Sequence, residues 1–96
     1  MAAPTPTNES FTFKNIIGMN DSMIEYTKMT ILLAFHDYPQ NDYDKVTFIM
    51  KKFEEKYGGF WSCCIFKKGN LSSHYSDFFV RINYKDYQIN IWKLNK

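Results

Sequence analysis

The sequence predicts one small α+β domain: a strand, then a two-helix hairpin, then an antiparallel four-stranded meander. Apolar residues recur at helical spacing between residues 21 and 57, and the period changes to two after Gly58 and Gly59. The chain has 96 residues and an aromatic content of 19%, more aromatic surface than a monomer of this size readily hides. We therefore expect self-association and aromatic contacts with a partner.

The first strand follows a polar segment. Residues 1–10 are small, polar and interrupted by prolines, so we expect a disordered tail. Residues 11–17 combine aromatic and β-branched side chains, alternate at their start, and end before Gly18, which is typical of a short strand. Residues 11–96 are predicted to form the single domain.

Two helices joined by a very short link are predicted next. Asn20, Asp21 and Ser22 are N-cap candidates for the first, which ends near Asp37 because Pro39 disfavours helical geometry at the residue before it. The second begins at Asn41 or Asp42 and ends at the two glycines. The predicted apolar faces are Met23, Ile24, Tyr26, Thr30, Ile31, Leu33 and Phe35 in the first helix, and Val46, Ile49, Met50, Phe53 and Tyr57 in the second.

The predicted strands after the helices cover residues 60–66, 71–74, 78–84 and 87–92. Turn residues at 68–70 and 85–86 separate them. In the last hairpin the predicted apolar face consists of Phe78, Val80, Ile82, Tyr84, Tyr87, Ile89 and Ile91. The opposite face is mixed in polarity, which suits contact with another polypeptide.

Composition and motifs exclude several classes of function. Twelve basic and ten acidic residues give a net charge of +2, and the basic residues are scattered, so the sequence shows no electrostatic footprint for nucleic acid or a membrane. We expect a cytosolic protein, because no signal segment and no run of about 18 apolar residues is present. The sequence contains no glycine-rich phosphate loop, no metal-ligand spacing and no convergent titratable groups. It therefore predicts no enzyme, no cofactor and no metal.

The cysteines and histidines leave alternatives open. Cys63 and Cys64 are adjacent, so on a strand they project to opposite faces and are predicted to be reduced and partly buried. A thiol-dependent enzyme remains one alternative to a binding protein. His36 suits the negative end of the first helix, whereas His74 is compatible with a cross-strand hydrogen bond or with contact to a bound peptide.

A second alternative is a module that binds nucleic acid or another polyanion. Lys67 and Lys68 lie beside aromatic strands, and with Arg81 they would form a basic surface for stacked bases. The run of basic, glycine and aromatic residues typical of RNA-binding sheets is absent, and two lysines at a hairpin end are commonly solvated.

The order of elements, together with one motif, resembles the dynein light chain family of small dimeric hub proteins. The motif is the lysine-rich helix end Met50 to Tyr57, followed four residues later by Trp61-Ser62-Cys63. The similarity runs from about Phe13 to Lys93, and Gly69, His74, Phe79 and the ending Ile89-Asn90-Ile91-Trp92-Lys93 add weaker support.

This resemblance implies a homodimer in which a short strand of each subunit joins the sheet of the other, with the helices outside. Extended segments of disordered partners, including dynein intermediate chain, would add to the open edge of that strand. A dimer has two such grooves and can hold two partner chains together. The implied role is an adaptor of microtubule motor complexes, in the cytoplasm or in a cilium or flagellum.

The resemblance also implies site residues. For the partner peptide these are Asp42, Tyr43, Lys67, Lys68, Gly69, Asn70, Leu71, Ser72, Ser73, His74, Phe79, Arg81 and Asn83. For the dimer interface they are Ser62, Cys64, Leu71 and Ser73. Within the first set, Phe79, Arg81 and Asn83 form the floor of the groove, and Asp42 and Tyr43 stand at a helix N-terminus that receives a polar side chain of the motif.

Several residues depart from the family pattern. Lys68 replaces an aromatic residue, Leu71 replaces a tyrosine, and Arg81 and Asn83 replace two floor tyrosines. The pocket is therefore predicted to be more polar and more basic, and to prefer a motif with acidic flanks over the usual Thr-Gln-Thr type. Ser62 stands where the family has an interface histidine, so dissociation of the dimer by acid is expected to be missing.

Overall fold

The structure, a computed structural model, describes residues 11–67 and 77–94. Its elements are β1 (Phe11–Ile17), α1 (Asp21–Asp37), α2 (Asp42–Tyr57), β2 (Trp61–Lys67), β3 (Phe79–Tyr84) and β4 (Tyr87–Lys93). The predicted α+β class is confirmed, with two helices and an antiparallel sheet. The predicted tail, the turn at 68–70 and the predicted strand 71–74 lie outside the described residues.

The four strands are ordered β1-β3-β4-β2 in one sheet. β3 and β4 form the predicted hairpin through Lys85 and Asp86, with Lys85 at a φ of 55°. β2 pairs with the other side of β4, so the strands after the helices do not follow one another across the sheet in chain order. This register places Cys63 and Ile65 opposite Ile91 and Ile89, which extends the apolar rows of the hairpin.

Both helices begin and end where capping chemistry predicts. The Asn20 side chain accepts a hydrogen bond from the Met23 amide at 2.9 Å, and the Asn41 side chain accepts one from the Asp44 amide at 3.0 Å. α2 ends at Gly58, whose φ of 74° is a conformation that glycine adopts without steric cost. Asn20 and Asn41 are therefore the N-caps.

The core lies between the helices and one face of the sheet. Its members that are fully shielded from solvent include Ile31, Ala34, Ile49, Phe53, Val80, Ile82, Ile89 and Ile91. The predicted face of α2 is confirmed, with Ile49 and Phe53 buried. The predicted face of α1 is largely confirmed, with Met23, Thr30 and Ile31 buried, but Ala34 is buried where Leu33 was predicted, and Leu33 remains 42% exposed. Ala34 follows Ile31 by three residues and Thr30 by four, so it lies on their buried side of the helix.

No helix within the described ranges is long and apolar enough to cross a membrane.

Candidate partner-binding face

Three rows of side chains cover the face of the sheet opposite the helices. In the β3–β4 hairpin, Phe79 pairs with Trp92, Arg81 with Asn90, and Asn83 with Gln88. Residues directly opposite each other on neighbouring strands project to the same face. Pairing of β2 with β4 adds one residue to each row, so we define the second face as Ser62, Cys64, Phe66, Phe79, Arg81, Asn83, Gln88, Asn90 and Trp92.

The central row of the second face is polar and ordered by Arg81. Its Nε donates a hydrogen bond to Asn90 Oδ1 at 3.3 Å, and its guanidinium carbon lies 5.6 Å from the centre of the Phe79 ring. Asn90 is shielded completely from solvent. A half-buried guanidinium held against an amide and an aromatic ring has little freedom, so Arg81 presents its charge in a fixed place.

The third row contains two buried polar atoms that have no hydrogen-bond partner among the described residues. They are Asn83 Oδ1 on β3 and Gln88 Nε2 on β4, which belong to directly opposed residues. An unmet buried donor or acceptor destabilises a protein by about 1–3 kcal/mol. Gln88 is only 5% exposed, so these atoms lie below the surface of the single chain.

The two cysteines project to opposite sides of β2, as predicted. Cys63 belongs to the core, whereas Cys64 is half-buried on the second face, and both thiols are free. Burial raises the pKa of the Cys63 thiol well above its ordinary value, and the neighbouring Cys64 adds to the rise. Burial also raises the pKa of Cys64, against a smaller opposing effect of Arg81. Both shifts disfavour the reactive thiolate at neutral pH.

The start of α2 is organised by a buried lysine that the sequence did not single out. Lys45 Nζ lies 2.9 Å from Asp42 Oδ1, 3.3 Å from the Pro39 carbonyl oxygen and 4.9 Å from the centre of the Phe35 ring. Its side chain is only 3% exposed. Lys45 therefore fixes the link between the helices and orients Asp42. Lys45 precedes Ile49 by four residues and Phe53 by eight, so helical spacing places it on the buried face of α2. That spacing was the sequence signal that could have identified it.

The predicted peptide-binding residues occupy three places. Phe79, Arg81 and Asn83 share the second face, as do the predicted interface residues Ser62 and Cys64. Asp42 and Tyr43 lie in the first turn of α2, where Tyr43 is 77% exposed, and no recorded bond among the described residues joins them to the second face. The remaining predicted residues, Lys68, Gly69, Asn70, Leu71, Ser72, Ser73 and His74, lie outside the described ranges.

Lys67 does not join the floor residues. It pairs with Tyr87 at the end of β2, and its Nζ lies 5.8 Å from the centre of that ring. Strand alternation places Lys67 on the helix-facing side, with Cys63 and Ile65, whereas Arg81 projects to the second face. The structure therefore does not assemble Lys67 and Arg81 into one basic surface, and nothing in the described residues favours the polyanion alternative.

β2 is a regular strand at the border of the described sheet. All seven of its residues pair in continuous register with β4, and no described strand pairs with its other edge. The opposite border strand, β1, is interrupted by a register shift between Phe13 and Ile16. A bulge blunts an edge against further pairing, so β2 is the better template for an added strand.

Comparison with known proteins supports the fold. The chain resembles the dynein light chain-like domain of the calcium binding protein FhCaBP2 from Fasciola hepatica, in a mercury derivative, with a TM-score of 0.80, 18% identity, and coverage of 98% of this chain and 100% of that chain. The native crystal form of the same domain gives a TM-score of 0.76, 15% identity and coverage of 96% and 100%. The chain thus has a dynein light chain-like fold.

Sequence comparisons add no relative. No family model matches the chain, and no curated protein matches it.

Proposed function

We propose that this chain is a non-catalytic, dimeric adaptor that binds short extended segments of disordered proteins by adding them as a β-strand. The observation that carries the proposal is the continuous edge of β2 in a dynein light chain-like fold. An exposed row of backbone amides and carbonyls provides affinity without catalysis, and neighbouring side chains provide selectivity. The mixed second face supports association with another chain.

In the proposed dimer, a short strand of each chain joins the sheet of the other, and the partner segment pairs beside it. The border of the described sheet that is open to such pairing is β2. We propose dynein intermediate chain and other disordered segments as partners. The corresponding location is the cytoplasm or a cilium, on microtubule motors.

Catalysis and metal binding are not part of the proposed role. The raised pKa values of Cys63 and Cys64 argue against a thiol nucleophile. Calcium is named for FhCaBP2, whereas the described residues of this chain contain no group of three or more His, Cys, Asp and Glu side chains that could hold a metal ion. We therefore propose no metal for this chain.

Peptide titration tests the proposal and its predicted selectivity. We expect a peptide with acidic residues flanking its central motif to bind about fivefold more tightly than an ordinary Thr-Gln-Thr peptide, because Arg81 adds a fixed positive charge. Fluorescence polarisation at low salt measures both affinities. Arg81→Tyr should remove the preference, whereas Lys51→Tyr on the exposed side of α2 should keep it.

Two results would contradict this account. Equally tight binding of both peptides would refute the predicted selectivity while leaving strand addition intact. Absence of binding to any extended peptide would refute the adaptor function itself.

A further inference from the structure

The backbone groups of β2 point alternately towards β4 and towards the border of the sheet. The Leu94 amide donates to the Phe60 carbonyl oxygen at 2.8 Å, one pair before β2 and β4 begin to pair. In an antiparallel ladder, residues that bond to the neighbouring strand alternate with residues whose amide and carbonyl point away from it. Phe60 therefore points towards β4, and every second residue after it does the same. The residues that point to the border of the sheet are Trp61, Cys63, Ile65 and Lys67.

One of these outward groups is already bonded within the chain. The Trp61 amide donates to Glu54 Oε2 at 3.3 Å, so a side chain of α2 reaches the border of β2. Within the described ranges, no other backbone group bonds to the outward amides of Cys63 and Ile65. An amide has a single proton to donate. A strand added to β2 can therefore pair with Cys63 and Ile65, but it must displace Glu54 to pair with Trp61.

Trp61 is held under α2 by more than this bond. Its indole Nε1 donates to the Gly58 carbonyl oxygen at 3.0 Å, and its ring centre lies 5.0 Å from that of Phe53. Only 1% of Trp61 is exposed, although it belongs to a strand at the border of the described sheet. Towards the other end of β2, Ile65 is half-buried and Lys67 is exposed. The border is therefore covered at Trp61 and becomes accessible further along the strand.

The charge of Glu54 makes this displacement unfavourable. A hydrogen bond to an ionised acceptor is roughly twice as strong as one to a neutral carbonyl, so an incoming carbonyl would replace the stronger bond with a weaker one. The displaced carboxylate would also lie beside the negative end of that carbonyl. Charged side chains at the border of a sheet limit pairing with other strands in the same way.

We propose that Glu54 sets the register of the strand that adds to β2, so that pairing begins at Cys63 and excludes Trp61. This inference rests on the proposed function, in which a second copy of the chain supplies that strand. The docking edge is then Cys63 to Lys67, about 13 Å long at roughly 3.3 Å per residue. The strand that fits it is extended and carries no acidic side chain at the Trp61 end, where Glu54 would repel it.

Amide hydrogen exchange of the full chain, measured for each residue by NMR in dilute and in concentrated solution, tests this register. Each rate is divided by that of the Ile89 amide, a fully buried position within the sheet, to correct for overall stability. On association we expect the Cys63 and Ile65 amides to exchange about tenfold more slowly, because each gains a hydrogen bond. The rate of the Trp61 amide should not change, since Glu54 occupies it in both states.

Two substitutions of Glu54 separate its hydrogen bond from its effect on register. Glu54→Ala removes the acceptor, so the Trp61 amide should exchange about tenfold faster in dilute solution and about tenfold more slowly again on association. Glu54→Gln keeps a side-chain acceptor and should restore the wild-type pattern. Glu55→Ala is the matched control, because Glu55 is exposed on α2 and its nearest described charge is Lys52 at 3.9 Å.

Slower exchange of the wild-type Trp61 amide on association would overturn the proposed register while leaving the adaptor function in place. An unchanged Trp61 rate in dilute Glu54→Ala, or no slowing when that variant associates, would do the same. A chain that stays monomeric at all concentrations, with constant rates at Cys63 and Ile65, would overturn the register together with the proposed function. If Glu54→Ala does not fold, the wild-type comparison decides the question alone.

Discussion

The two faces of the sheet are built from alternating residues of the same strands, but they differ in chemistry. One is apolar and packed, whereas the other holds polar groups that are only partly hydrogen-bonded. The helix-facing side is formed by Val80, Ile82, Ile89 and Ile91, all fully buried against helices of the same chain. The second face carries a guanidinium, several amides and two buried polar atoms without partners in the described part of the chain. The helix-facing side therefore stabilises the fold of the single chain, and the second face is where we expect contact with another chain.

The largest effect is expected on the helix-facing side. Ile89→Ala should lower the free energy of unfolding by about 2–5 kcal/mol, because it removes packing from a fully buried position and leaves a cavity. Urea unfolding followed by circular dichroism measures the change. Leu33→Ala, at a position that is 42% exposed, is the matched control and should cost less than about 1 kcal/mol. Equal losses at both sites would contradict the assigned core.

A smaller effect is expected from the central row of the second face. Asn90→Leu removes the acceptor of the Arg81 Nε hydrogen bond and should destabilise the protein by about 1–3 kcal/mol. Thermal unfolding of the variant, compared with Asn15→Leu on exposed β1, measures this. If the stability of the Asn90→Leu variant is unchanged or higher, the hydrogen bond of the central row does not contribute to stability. The contrast between the two faces would then be lost.

Acid response tests the predicted interface role of Ser62. The wild-type dimer should persist between pH 7.5 and 5.5, because no histidine occupies this position. Ser62→His should weaken dimerisation about tenfold as the imidazole becomes protonated below its ordinary pKa of about 6.5. Sedimentation velocity across this range compares the two. Dissociation of the wild type near the imidazole pKa would contradict the assignment.

Alkaline pH should produce the smallest change, on the helix-facing side. Burial raises the pKa of Cys63 above the ordinary thiol value of 9.0, so the unfolded chain loses this proton first. Stability contributed by the neutral thiol is complete below pH 9.0 and declines as pH rises through the folded-state pKa. Urea unfolding at pH 7.5 and 9.5 should show this decline, and Cys63→Val should reduce it. An equal decline in both proteins would assign the loss to other groups.

The sequence predicted most of the fold because capping and periodicity are local signals. Asn20, Asn41 and Gly58 mark helix ends that need no tertiary information. At the end of α1 the prediction chose Leu33 in place of Ala34, because hydrophobicity favours the larger side chain and only packing decides which one faces the core. The neighbour of β2 was missed for a similar reason, since strand order depends on long-range pairing.

The site was predictable in part. Alternation in the last hairpin placed Phe79, Arg81 and Asn83 on one face, and the structure confirms that they share it. Gln88 and Asn90 were placed on the same face without a role, because their burial depends on neighbouring strands and not on local sequence. Lys67 was grouped with these residues through the family resemblance. Side-chain alternation along β2 instead places it on the helix-facing side of the sheet.

Stoichiometry of the peptide complex tests the central claim most directly. Native mass spectrometry of the full chain with an acid-flanked extended peptide should show two chains of 11.5 kDa each, together with two peptides. That mass requires both an interface and two equivalent docking edges. A single chain that carries no peptide at any concentration would contradict the account.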